Sequence, residues 1–599
     1  MVSRWQHAGA MRPARILTVH AILFGILIVA PNLFAQTNGA GRCPGGRISS
    51  VEIRRRPVFD DSASAMLSKF YDAANWLHVE TRERVIRREL LFREGDCYEP
   101  LKLSESERLL REFSFLKSVD VETSSRANSN VDVTVDTHDD WSLQLEPRIE
   151  MGSGLGFGGF SLAERNLGGT GRSVELFFID RTGRNEMGTR YYDPQFLATR
   201  WNLDLAAART EPGLTVRQVV GYPFVGLVGR WAAFQYGLFG ERWFRYMPGD
   251  LAERRELILP LRQNSLQAGG AIRLAGEPRG KATKLGTYGL TLSYEKLEYD
   301  SPFYQDSLVE NEVGISEEEA DSRLSSLLLQ RETLRWNFVA GVRGLEFVKR
   351  RGLSTLRAEE DIPIGASGDL VLGFAPGLFG TSDKHFLVGL AAYGGAKVTG
   401  GWLSLVSASF EGRRDYEARD WRDMFGALQW SNFWLLGPRH TVELTGRWSA
   451  GWDVTVPFQL TLGGPTGVRG YDSHRFPGGA RAVVSLEDRT HLWSAGRLFD
   501  MGTTVFLDVG QMWSNEAIFA TDSDLRASLG VGLRVATPTG TRLTYQLDIA
   551  MPIDGGARLS ELTITFRTLH GLRLFDRAVD RELARSRDIA LRSAAEHFK

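Results

Sequence analysis

From Trp141 onward, apolar and polar residues trade places at every second position, in segments set apart by Gly, Pro, Asn and Asp. The clearest segment sets Leu525, Ala527, Leu529, Val531, Leu533 and Val535 against Arg526, Ser528, Gly530, Gly532 and Arg534. Successive strand residues point to opposite faces, so this predicts a strand with one apolar face and one small or charged face. The period recurs in Leu543, Tyr545, Leu547 and Ile549 against Thr544, Gln546 and Asp548, and in Leu562, Ile564 and Phe566 against Glu561, Thr563, Thr565 and Arg567. In Val505–Gly510 it places Asp508 opposite an aliphatic stripe of Val505, Leu507 and Val509. Counting such segments over residues 138–569 gives roughly twenty strands.

Residues 48–137 follow another pattern. Ile48 to Ile53 is a short strand candidate, and a polar connection containing Trp76 follows it. Val85, Ile86, Leu90 and Leu91 at helical spacing predict a helix over 81–93, stopped by Gly95. Ser104-Glu105-Ser106-Glu107 fits a capping box, which would start a second helix running through Phe113. Val119 with Val121, then Val131, Val133 and Val135, alternate as two further strands. The order β-α-α-β-β describes a small α+β unit.

The connections in the alternating region are unequal. Pro538-Thr539-Gly540 is tight, whereas residues 247–262 and 301–332 are long and polar, and Ser316-Glu317-Glu318-Glu319 in the second is another capping box. A soluble sandwich alternates too, but its turns are short at both ends. Short turns on one rim and long loops on the other predict a barrel in an outer membrane, its apolar face toward lipid.

The N-terminus supports export. Arg12 and Arg15 precede the apolar run Ile16 to Ala30, followed by Pro31-Asn32-Leu33-Phe34-Ala35. That order predicts a signal peptide over 1–35, begun at Met1 or Met11. A membrane anchor is the other reading, but about fifteen residues including His20 are short for a span of roughly twenty. Beyond Ala35 no helical span is long enough, so a membrane role requires a barrel. Residues 36–47 read as a linker. Cys43 and Cys97 are the only cysteines, and an oxidising compartment permits a bond between them.

Composition narrows the field further. Lys and Arg total 72 against 73 Asp and Glu, which gives no reason to expect nucleic acid as a partner. The 64 glycines suit turns and tight lumen positions, and 15 Trp, 15 Tyr and 33 Phe suit aromatic belts. Gly154-Leu155-Gly156-Phe157-Gly158-Gly159 has dinucleotide-type spacing, but a strand continues where that motif needs a helix. Without a P-loop, a nucleophile elbow or metal-ligand spacing among ten histidines, a non-enzyme without cofactor or metal is expected.

One stretch breaks the alternation. Thr461-Leu462-Gly463-Gly464-Pro465-Thr466-Gly467-Val468-Arg469-Gly470-Tyr471 can be neither helix nor strand interior, and it carries Arg469 at its tip. Folded into a lumen, that guanidinium could meet Asp508 in a two-pronged contact. The pattern by itself also fits a surface arginine and an unrelated strand aspartate.

Val468-Arg469-Gly470-Tyr471 resembles the sixth extracellular loop signature of the BamA and TamA family of outer-membrane assembly barrels, the bacterial surface antigen family. Phe506-Leu507-Asp508-Val509-Gly510 resembles the strand motif onto which that loop locks. Arg165 to Gly171 resembles the family's first periplasmic turn, Tyr191 to Phe196 its Pro-aromatic turn, and Ser485-Leu486-Glu487 the strand after the loop. The five matches come in the family's order.

The resemblance implies a mainly β protein, a transmembrane antiparallel barrel of sixteen strands, preceded by one periplasmic POTRA module over 48–137. It implies that Arg469, pinned to Asp508 with Glu487 nearby, holds the loop in the lumen. A seam between strands near Leu143 to Ile149 and Leu559 to Phe566, with Leu562, Ile564 and Phe566 on its last strand, would template client strands. Partners implied are outer-membrane lipid, unfolded client proteins taken by strand addition, and periplasmic or lipoprotein factors. A passive pore or a surface adhesion protein of the same fold is the alternative.

The family ends at its last strand, whereas here residues 570–599 follow. Phe575, Val579 and Leu583 lie four apart amid Arg573, Arg577, Arg581, Arg585 and Arg587, an amphipathic basic helix. It could lie on the inner membrane surface, cap the lumen, or stand in solvent.

Overall fold

The computed structural model describes residues 43–59, 75, 78–125, 130–151, 155–180, 185–210, 212–247, 249, 256–275, 283–304, 316–399, 401–473, 475–555, 561–570, 581–590 and 598. The signal-peptide segment, Trp76 and Leu559 lie outside the described residues.

Strands Ile48–Arg56, Leu116–Ser125 and Val131–Asp139 form a three-stranded sheet. The last is central, parallel to the first and antiparallel to the second. Helices Glu83–Glu89 and Pro100–Arg111 cover one face, and Val85, Ile86, Leu103 and Leu110 pack on Val51, Val119, Val133 and Val135. Cys43 and Cys97 are joined as a disulfide.

Two sequence expectations fail in this unit. Ser104 does not cap the second helix. That helix begins at Pro100, whose fixed φ and missing N–H suit a first turn, and the Ser104 hydroxyl donates to Leu101 O at 3.1 Å. The first helix stops at Glu89, short of Leu90 and Leu91, because Leu90 is extended and its carbonyl accepts from Arg200 on the barrel.

All but two of the remaining described strands close into one antiparallel barrel, from Leu143–Met151 to Thr563–Leu569. Among the described residues it has twenty strands of seven residues or more, and the two-residue strand Phe303–Tyr304 is tucked beside them. The sixteen implied by resemblance are therefore too few. The extra segments between 199 and 365 are full wall strands, and Arg331–Arg351, of 21 residues, is the longest. A tilted strand needs about ten residues to cross a bilayer, so these long strands project beyond it.

The wall sorts as the alternation requires. Val505, Leu507, Leu529, Val531 and Leu533 are exposed outside, whereas Phe506, Asp508, Ser528 and Arg534 are buried inside. The apolar face has only lipid to cover it. Stacked aromatics mark the rim beside the N-terminal unit, among them Tyr222 on Trp231 at 3.9 Å and Trp402 on Trp434 at 6.0 Å. No helix among the described residues is long and apolar enough to cross a membrane.

Two local readings need adjustment. Tyr191 to Phe196 is the end of strand Glu186–Phe196, and the turn follows it, with Leu197 and Ala198 at positive φ. Leu562 lies just ahead of the last strand rather than in it. Leu155 to Gly159 belong to strand Leu155–Glu164, as the absence of a helix after the glycines predicts, with a bulge before Gly159, where a Cβ would sit 2.1 Å from Phe178 O. Ser316, by contrast, does cap its helix, accepting from Glu319 N at 3.1 Å.

Candidate functional site

The connection between strands His440–Trp452 and Ala480–Ala495 turns back into the lumen instead of standing over the far rim. Val456, Phe458, Leu460, Leu462 and Val468 are buried there against Phe425 and Met512 of the wall. A short ladder pairs Leu460–Thr461 with Pro477–Gly478, and Val468 N donates to Leu462 O at 2.8 Å, folding the tip tightly. Two glycines permit this. A Cβ on Gly467 would lie 1.7 Å from Leu462 O, and Gly470 has φ 99° where a Cβ would press on Ser528 and Met551 of the wall.

Arg469 is thereby delivered, 4% exposed, to a cluster on three wall strands. Its Nε donates to Asp508 Oδ2 at 2.6 Å and one terminal nitrogen to Asp508 Oδ1 at 2.8 Å, a two-pronged contact. The other terminal nitrogen donates to Glu487 Oε2 at 2.8 Å, and its backbone N–H reaches Asp508 at 3.2 Å. Ser485 accepts from the guanidinium at 3.1 Å, and the guanidinium lies 3.4 Å from the Phe506 ring centroid. Tyr471 donates its hydroxyl to Asp554.

Ser485 and Phe506 stand within the matched motifs but were not expected to touch Arg469, and neither was Asp548. Asp548 lies 3.6 Å from Arg469 and accepts from Arg567 of the last strand at 2.7 Å, so the loop is tied to the strand that closes the barrel. Its inward phase in the alternation was the available signal.

A second element was not foreseen. The connection between Arg331–Arg351 and Glu359–Ala375 also folds inward, from the rim beside the N-terminal unit. Carbonyls of Gly352, Leu353 and Ser354 accept from Thr441, Arg489 and Arg534 of other wall strands, and Leu353 is buried.

The closing junction is thin. Among the described residues, strands Thr563–Leu569 and Leu143–Met151 share one registered pair, Thr565 with Glu150. Six pairs join Leu155–Glu164 to Ser173–Ile179, the next-sparsest junction of full wall strands. Beside the gap, the Tyr545 hydroxyl donates to Leu145 O at 2.8 Å, and His570 lies 3.2 Å from Glu146.

The N-terminal unit is docked on the same rim. Gln195 donates to Glu89 at 2.6 Å and to Val85 O at 2.9 Å. Asn166 donates to Thr81 at 2.9 Å, Leu227 N to Glu105 at 2.8 Å, and Arg111 grips Asp361 at 2.8 and 2.9 Å. Burial pushes the Glu89 carboxyl above its ordinary 4.5 against the opposing hydrogen bond from Gln195. Burial alone would lower Arg111, but its bonds to Asp361 outweigh this and leave it raised.

A closed antiparallel cylinder with an apolar outer wall, and an arginine loop drawn inside it, defines a membrane barrel with a locked lumen. Residues 400–567 match the Omp85 superfamily domain. That match takes in the inward loop with Arg469, the strands bearing Asp508 and Asp548, and most of the last strand. Over 94 residues the chain is 34% identical to the outer membrane protein assembly factor BamA of Neorickettsia risticii (strain Illinois). That match spans 16% of this chain and 13% of the relative. Looser likenesses in fold are to BamA from Haemophilus ducreyi lacking POTRA domains 1–3 (15% identity, 88% and 84% of the two chains, TM-score 0.32) and to CdiB from Escherichia coli (11% identity, 94% and 99%, TM-score 0.40).

Proposed function

We propose that this chain helps insert or export other proteins at the outer membrane, with residues 48–137 as a single POTRA-like module on the periplasmic side. The observation that carries this reading is the junction whose one registered strand pair, among the described residues, is Thr565 with Glu150. A barrel gains one ladder of hydrogen bonds wherever neighbouring strands pair, and an under-paired seam leaves donors and acceptors that an incoming strand can satisfy. The client edge pairs with Thr563–Leu569, and the thinned bilayer beside the short seam strands lowers the barrier to entry. The outer strand of the small sheet, Leu116–Ser125, offers a second edge, able to hold an extended client with little sequence preference. Unfolded client proteins and periplasmic or lipoprotein factors are the partners.

Arg469 fixes the loop beneath this seam. A buried pair costs desolvation, so its chief contribution is selecting one loop position. Through Asp548 and Arg567 that position is communicated to the last strand. A passive pore fits less well, because two inward-folded connections and buried side chains fill the lumen.

A cysteine pair at Glu150 and Thr565, in cells depleted of the wild-type protein, tests the seam. Oxidation should stop folding of client outer-membrane proteins and reductant should restore it. Clients that fold normally with the seam cross-linked, or unchanged outer-membrane protein levels on depletion, would overturn the reading.

A further inference from the structure

We propose that the C-terminal segment is a releasable stopper, docked in the barrel lumen by one carboxylate and two apolar anchors. The last strand ends at Leu569 on the rim beside the N-terminal unit, yet helix Arg581–Ala590 lies inside the cylinder, against strands Trp421–Leu435 and His440–Trp452 and the ladder residues Leu460–Thr461.

The dock is specific. Glu582 accepts from Thr461 N at 3.0 Å, from the Thr461 hydroxyl, and from Arg481 at 3.0 Å. Arg481 is 4% exposed and also donates to Thr461 O, so a buried cation and a backbone amide converge on one carboxylate. Leu583, 1% exposed, enters the apolar cluster of the inward loop. Phe598 is the second anchor, edge-on to Phe234 at 5.1 Å, and its carbonyl accepts from Phe224 N at 3.5 Å. Gly289 makes room for that ring, since a Cβ there would lie 3.3 Å from it. The two anchors are therefore held at separate places, one on the loop deep in the lumen and one beside the connection after Tyr222.

Several features make the attachment reversible. The helix has ten residues, too short to persist on its own, and it lies outside the wall's hydrogen-bonded ladder. Withdrawal breaks no strand pairing. It would leave Arg481 buried without Glu582, a cost that favours re-entry of the same carboxylate. A barrel of twenty strands is wide enough for an aqueous channel once its filling moves. Because Thr461 belongs to the loop that carries Arg469, docking the stopper also braces the lock.

The test uses the full-length protein in planar lipid bilayers, with folding checked by heat-modifiable mobility. Glu582→Arg with Leu583→Asp should raise single-channel conductance severalfold, and in cells should admit large antibiotics that the wild type excludes. A Thr461→Cys, Glu582→Cys pair should cross-link under oxidation and give few openings, with openings increasing on reduction. A folded Glu582→Arg, Leu583→Asp protein with wild-type conductance overturns the proposal. If that variant does not fold, the cysteine pair decides. Failure to cross-link, or equal conductance oxidised and reduced, also overturns it.

Discussion

Removing the Arg469 guanidinium would leave Asp508 and Glu487 facing one another in a site with almost no solvent. An uncompensated buried charge costs about 3–5 kcal/mol, so Arg469→Ala should sharply lower the folded fraction or the assembly of the barrel. Arg475→Ala is the control, since Arg475 sits 5.0 Å from the Phe476 ring on the same loop, away from that cluster. Equal heat-modifiability of the two variants would remove the case for the lock. Arg469→Lys should behave more like alanine than like arginine, because an ammonium cannot reach Asp508 by two prongs, Glu487 and Ser485 together. The residue identities were legible in the sequence, since alternation gave the inward phase of Asp508 and the glycines gave a tight loop. The reach of Arg469 to Glu487 and Asp548 was not, because it depends on how three separate strands stand side by side.

Glu89 gives a pH dependence at the same scale. Its folded pKa is raised above 4.5, so the stability it contributes is fully present below 4.5 and is lost as pH climbs through the raised value. Docking of helix Glu83–Glu89 on Gln195, followed by hydrogen exchange, should therefore loosen as pH rises from 4 toward neutrality. Glu89→Gln should flatten that dependence while keeping a hydrogen-bonding partner for Gln195.

Among the elements, the disulfide holds the entry of the first strand to the connection between the two helices, across 54 residues. Cross-linking a loop of that length stabilises by about 2–4 kcal/mol. Cys97→Ser should lower the denaturant midpoint of the small α+β unit and leave barrel mobility unchanged on gels. Element type was legible here from periodicity, whereas element ends were not. Leu90 and Leu91 have helical spacing, but Leu90 is pulled extended where its carbonyl meets Arg200. Ser104 has a capping sequence around it, but Pro100 starts the helix a turn earlier. In both cases a local signal lost to a neighbour distant in sequence or to a stronger local one.

For the molecule as a whole, the small unit covers one end of the cylinder by gripping several connections at once. Asp361→Arg, which sets two guanidinium groups against each other at Arg111, should undock it and speed proteolysis between residues 139 and 143. Arg111→Glu added to Asp361→Arg should restore part of the protection, as a coupled pair requires. By itself the sequence determined the closed β wall, the lipid-facing stripe and the inward phase of each charged position, because these follow from a period of two that every strand carries within itself. The inward course of the connection after Arg351, the thin junction at Thr565 and the place of the C-terminal helix were decided only in three dimensions. Each depends on which surface is left uncovered once the cylinder has closed, and no single segment contains that information.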